Sequence, residues 1–170
     1  MSKISTYVIL YLAAIIAANL LVVRFGPSVT VLNAFLFIGL DLTSRDTLHD
    51  AWNGRKLSWR MGTLIVSGSA LSWLLNRAAG PIALASLVAF AMSATVDSLV
   101  YHRLGQYARL MRVNGSNVVS AAIDSFVFPT LAFGAFLWPV VLGQFVAKVA
   151  GGFLWSLILS RTARESAQLK

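Results

Sequence analysis

The sequence predicts an all-α membrane protein: six transmembrane helices in one transport domain covering residues 1–170, with both termini in the cytoplasm. Three observations predict it. First, 58% of the residues are hydrophobic and 12% are charged, at a mean hydropathy of +0.75; soluble domains are near half apolar and about a quarter charged. Second, the apolar residues fall into six runs joined by short polar stretches, with no linker for a second domain. Third, the basic residues alternate by side. With six spans, Lys3, Arg45, Arg55, Lys56 and Arg60, the 4–5 loop arginines and the basic residues of the tail face one way, against Arg24 and Arg77 on the other. The richer side is cytoplasmic by the positive-inside rule.

Each run has its own boundaries. Ile4 to Val23 is long enough for a bilayer, carries Asn19 as its strongly polar interior residue, and ends at Arg24-Phe-Gly-Pro27. Val29 to Leu42 is short, so a helical reading continues through polar residues to Trp52, where Asn53-Gly54 turns the chain. Arg55 to Arg60 is a basic, tryptophan-bearing interfacial stretch, and Met61 to Leu75 is the third run. Gly80-Pro81 opens the fourth, Ile82 to Tyr101. Val118 to Leu137 holds a kinking Pro129, and Val140 to Leu159 precedes a polar tail. The first run lacks a small-residue cleavage site, so no cleaved signal peptide is expected.

Composition excludes several functions. There is no cysteine, hence no disulfide, thiolate metal site or cysteine nucleophile. No nucleotide-binding loop, Ser-His-Asp set or HExxH motif is present, so neither an enzyme nor a bound cofactor is expected. The net charge of +8 would point to nucleic acid in a soluble protein. Here the basic residues border apolar runs and report topology instead, so the partners are the lipid bilayer and a small molecule. Monomer and homo-oligomer both remain open.

The residues that need a reason are acids. Asp97 and Asp124 lie inside apolar runs, and an acid at bilayer depth costs roughly 2.5–3.5 kcal/mol on insertion scales. Folding two helices about residue 110 would set them side by side at one depth, facing a ligand cavity. Two carboxylates at one level repel, so protonation or a positive group must intervene. Lys148 is a candidate counter-charge, and snorkelling to the interface is its plainer reading. Asn114, Ser116, Asn117 and Ser120 are more polar groups than helix capping needs. Asp41, Arg45 and His49 would share a helix face, either as an ion-paired cytoplasmic end or with Asp41 and Arg45 reaching the cavity. Asp46, His49 and Asp50 are too loose a set for an expected metal site.

The pattern Asp97-Ser-Leu-Val-Tyr-His-Arg, Arg112-Val-Asn114-Gly-Ser116, Ser120-x-x-x-Asp124-Ser-x-x-Phe128, after an acidic segment and a Gly-Arg-Lys turn, resembles the VUT (queuosine precursor transporter) family. Gln144 and Lys148 match polar positions in its last span. The segment Thr43 to Asp50 departs from the Asn/Glu-containing motif usual there, and the chain is short for the family. The resemblance implies a carrier of 7-deazaguanine precursors of queuosine across the prokaryotic inner membrane. Asp124 or Asp97 would accept the base's N1–H and exocyclic amine, with Asn114, Asn117 and Gln144 reading other edges. A substrate-binding subunit of an energy-coupling-factor vitamin transporter is the alternative, and a membrane-embedded enzyme a more distant one.

The topology has a direct test, because the chain has no cysteine of its own. A single cysteine replacing Arg77 should react with an impermeant thiol reagent added outside intact cells, and one replacing Arg109 should stay protected.

Overall fold

The computed structural model describes residues 3–37 and 57–168, and every regular element among them is helical. Helix α1, Lys3–Phe25, ends where Gly26 takes φ +69°, a conformation glycine reaches without a Cβ clash. Pro27 then starts a single 3₁₀ turn, Gly26–Val29. The Thr30 hydroxyl donates to the Pro27 carbonyl at 2.7 Å and launches α2, residues 30–37. Asn33 Nδ2 donates to the Ala18 carbonyl, 15 positions back, at 3.1 Å. The 34-residue apolar stretch Ile4–Phe37 is therefore a helical hairpin, longer than the roughly 20 residues one crossing needs.

Helix α3, Leu57–Leu75, runs parallel to α1. Tyr11, Met61 and Ile65 form the buried cluster between them, with Leu87 and Phe90 packed against it. Further along, Gly68 lies so close to Ile15 that a Cβ there would sit 2.8 Å from Ile15 Cγ2. Asn19 Nδ2 donates to Ser72 Oγ at 3.1 Å, and that hydroxyl donates to the Gly68 carbonyl at 2.8 Å. In lipid such polar groups must find protein partners, so these bonds pin the register of α1 on α3.

A 3₁₀ turn, Arg77–Ala79, with the Asn76 side chain accepting from the Ala78 N–H, leads into α4, Gly80–Arg103. A short turn at residues 104–108 joins α4 to α5, Arg109–Phe133, and the two pack along each other as an antiparallel pair. Pro129 interrupts the hydrogen-bond ladder of α5, and Gly134, at φ +63°, ends it. Helix α6, Trp138–Gln168, returns beside α5.

Three stretches are long and apolar enough to cross a membrane (Ile4–Phe37, Arg77–Arg103 and Gly115–Phe133), and Trp138–Leu154 is a shorter apolar helix. Exposed Ile9, Leu84, Val146 and Phe153 suit lipid, which is as apolar as they are. Trp59, Trp73 and Trp138 are exposed near helix ends, and the Arg77 guanidinium stacks 4.0 Å above the Trp73 ring. Helices α1, α2, α4, α5 and α6 surround one interior space, and α3 braces α1 and α4 from outside.

Gly143 closes that ring between α6 and α2, since a Cβ there would meet Val31 Cγ2 at 2.7 Å. Gly143→Leu should cost about 1–3 kcal/mol by overpacking. It would read as a lower melting temperature in detergent, with Gly152→Leu, where nothing lies within 4 Å, close to wild type.

Candidate functional site

The interior space is a cavity of about 140 Å³, roughly ten times what one enclosed water requires. Its charged wall is made by α5 and α6. Lys148 Nζ is ion-paired with Asp124 Oδ2 and lies 3.4 Å from Gln144 Oε1, one helical turn away. Asp124 stands nine residues before the end of α5 and Lys148 ten after the start of α6. Both are thus roughly 14 Å from the turn between them, about half the hydrocarbon thickness. At that depth neither charge is sustainable alone, and the pair is the arrangement that makes both tolerable.

The opposite wall is polar but uncharged. Helix α1 contributes Asn19, α2 contributes Thr30 and Asn33, and α4 contributes Ser86, while Phe128 of α5 lines the same space. Asn33 Oδ1 on this wall and Gln144 Nε2 on the charged one are buried with no hydrogen bond, as are Ser69 Oγ, Asp97 Oδ1 and Ser125 Oγ away from the cavity. A buried polar end left unpaired costs about 1–3 kcal/mol.

Residues 4–160 match the family described as Putative vitamin uptake transporter. The chain belongs to this family. The match confirms the VUT resemblance read from the polar motifs, and makes the protein a membrane transporter of a small molecule. No curated protein and no solved structure matches the chain.

In this VUT family member the residues predicted from sequence fall into three groups. Asp124, Gln144 and Lys148 line the cavity together. Asp41 and Arg45, like the loose set Asp46, His49 and Asp50, lie outside the described residues. Asp97 and Asn117 are not in the cavity wall: Asn117 is exposed, and the side chain of Asn114 is outside the described ones. The helix boundaries explain the separation. The α4–α5 turn is centred near residue 106, midway between Arg103 and Arg109, and not at 110. Arg109 and Arg112 belong to α5, because nothing after Ala108 breaks a helix. Asp97 is then nine residues from the turn and Asp124 eighteen, which sets them roughly 13 Å apart in depth. Asp97 lies level with Asn114 to Ser116 instead, and its Oδ1 is buried without a partner. The residue level with Asp124 on α4 is near Ser86, which does share the cavity.

Sequence reasoning assigned no role to Asn33, Thr30 or Ser86, and noted Asn19 only as an oddity. The usable signal was the same for Asn19 and Asn33: an amide in an apolar run, where each needs a partner.

Removing one member of the ion pair should be worse than removing both. Lys148→Met leaves Asp124 unpaired, at a cost of about 1–3 kcal/mol, below the 3–5 of a fully buried pair because these side chains are partly accessible. Thermal denaturation of Lys148→Met should show that loss, and the double variant Asp124→Asn/Lys148→Met should recover most of it.

Proposed function

We propose that this transporter imports a 7-deazaguanine precursor of queuosine across the inner membrane of a prokaryote, with Asp124 accepting hydrogen bonds from the base. The observation that carries the reading is a carboxylate at mid-membrane depth, on the wall of a partly open cavity between helices, beside an aromatic ring and amide side chains. A carboxylate offers about four lone-pair sites. Asp124 Oδ2 holds Lys148, and both oxygens retain capacity for the N1–H and exocyclic amine of a guanine-like edge. Phe128 supplies a face for a planar ring. Six spans with both termini cytoplasmic complete the proposal, supported by the alternation of basic residues. Asp97, nearer the α4–α5 turn and with an unpartnered buried oxygen, is a second place where the base would pause.

The family's description as a vitamin uptake transporter also favours a second reading, a substrate-binding subunit that works only with a partner ATPase. Uptake of labelled 7-cyano-7-deazaguanine into cells lacking their own salvage separates the two. Import by this chain alone supports the carrier, and import only with a co-expressed energising module supports the subunit. In the same assay Asp124→Asn, shown to insert and fold, should lose about 1.5–3 kcal/mol of binding, or roughly ten- to hundredfold. Wild-type uptake in that variant would remove Asp124 from the site.

A further inference from the structure

We propose that the groove on the outer side of α3 and α4 binds an anionic phospholipid, with the phosphate on Arg77 and the Trp73 indole N–H and one acyl chain between the two helices. The site is separate from the central cavity, and the proposal does not depend on the cargo. The groove has a volume of about 320 Å³. Its floor is made by small side chains, Ser69 of α3 and Ala83 of α4, which are 7% and 3% exposed. Its rims are larger and exposed: Val66 and Trp73 on α3, and Leu84 on α4. The lining spans Val66 to Trp73 on one helix and Gly80 to Leu87 on the other, so the groove runs roughly 10 Å along both, about a third of the hydrocarbon thickness. An apolar channel of that length, open along its side, takes the upper part of an acyl chain.

The end of the groove nearest the membrane surface carries hydrogen-bond donors. The Arg77 guanidinium lies 4.0 Å above the Trp73 ring. Trp73 is itself set against Gly80, where a Cβ would come 3.0 Å from Trp73 Cδ1 and 3.4 Å from its Nε1. Gly80 thus lets the indole lie across the α3–α4 junction with the cation stacked on it. Both groups can only donate, both side chains are exposed, and among the described residues neither has a hydrogen-bond acceptor. The carboxylates are elsewhere. Asp124 is held by Lys148, and Asp97 stands 17 residues from Gly80 along α4, roughly 25 Å. The stretch with Asp41, Asp46 and Asp50 joins α3 at Leu57, its opposite end, and Glu165 is near the end of α6. A lipid phosphate supplies the missing acceptor and counter-charge, and the guanidinium fork can take two of its oxygens. A zwitterionic headgroup would bring its own ammonium to the same place. A second copy of the chain inserted in the same orientation would bring the same arginine, so it does not match this end of the groove.

The test uses purified full-length protein in nanodiscs with equal fractions of phosphatidylglycerol and phosphatidylcholine, each traced in turn by an analogue with a photoreactive acyl chain. In wild type the phosphatidylglycerol analogue should label residues 66–73 and 80–87 about fivefold more than the phosphatidylcholine analogue, roughly what one arginine contributes at an anionic surface. Arg77→Gln should remove that preference. Ala70→Phe, at an exposed position in the lining, should fill the groove and reduce labelling by both analogues. Arg24→Gln removes a cation outside the lining at the same membrane face and should leave the preference unchanged. If Arg77→Gln fails to fold, the wild-type ratio and the other two variants still decide. Equal labelling by the two analogues overturns the proposal, as does a preference that survives Arg77→Gln or falls equally in Arg24→Gln. A dimer that Ala70→Phe dissociates also overturns it, because a second copy would then fill the groove.

Discussion

A carboxylate and an ammonium held together about midway through an apolar slab constrain almost everything around them. Neither Asp124 nor Lys148 can be left facing lipid, so α5 and α6 must run antiparallel with the two residues equally far from the turn at Gly134. The pairing sets the register of the hairpin. Register in turn places Gln144 one turn from Lys148 and brings Gly143 against Val31 of α2. A helix without a side chain at that point lets two backbones approach, as small residues do at membrane helix contacts. The ring of helices thus closes at a glycine, and the charge pair ends on its inner wall.

The other side of the ring is held by neutral polar contacts. Asn19 on Ser72 and Asn33 on the Ala18 carbonyl tie α1 to α3 and to α2. Each is a modest bond, about 0.6 kcal/mol on average for interhelical bonds in a membrane protein. Their value is positional: an asparagine in lipid has few alternatives, so the helix rotates until the amide is satisfied. Asn19 and Asn33 both stand on the cavity wall, and the same residues that assemble the helices therefore line the site.

Met and unmet hydrogen bonds both occur in this interior. The Asn19–Ser72–Gly68 chain is closed, with Asn19 Nδ2 donating and the Ser72 hydroxyl donating onward. Asn33 and Gln144 each satisfy one end and leave the other open, Asp97 keeps an open oxygen nearer the α4–α5 turn, and the Ser69 and Ser125 hydroxyls are also buried without a partner.

Much of this was legible in the sequence. The membrane class follows from composition, because no soluble fold needs so few charges. Helix ends at Gly26-Pro27, Gly80-Pro81 and Gly134 follow from backbone chemistry that is local to those residues. Asp124 stood out because the cost of a charge in lipid is a property of the residue and its run, and the family motifs pointed to the same place. What tertiary structure alone decided was who meets whom. Basic residues marked a cytoplasmic turn near 110, but Arg109 and Arg112 are helical, and the four-residue shift to 106 moved Asp97 off the level of Asp124. Depth is counted from the turn, so a small local error doubles across a hairpin. Lys148 had two readings by itself, snorkelling and pairing, and the facing helix chose between them. Asn33 and Ser86 enter the site through neighbours distant in sequence. Hydropathy describes each helix alone, whereas a cavity is made by the sides on which different helices agree.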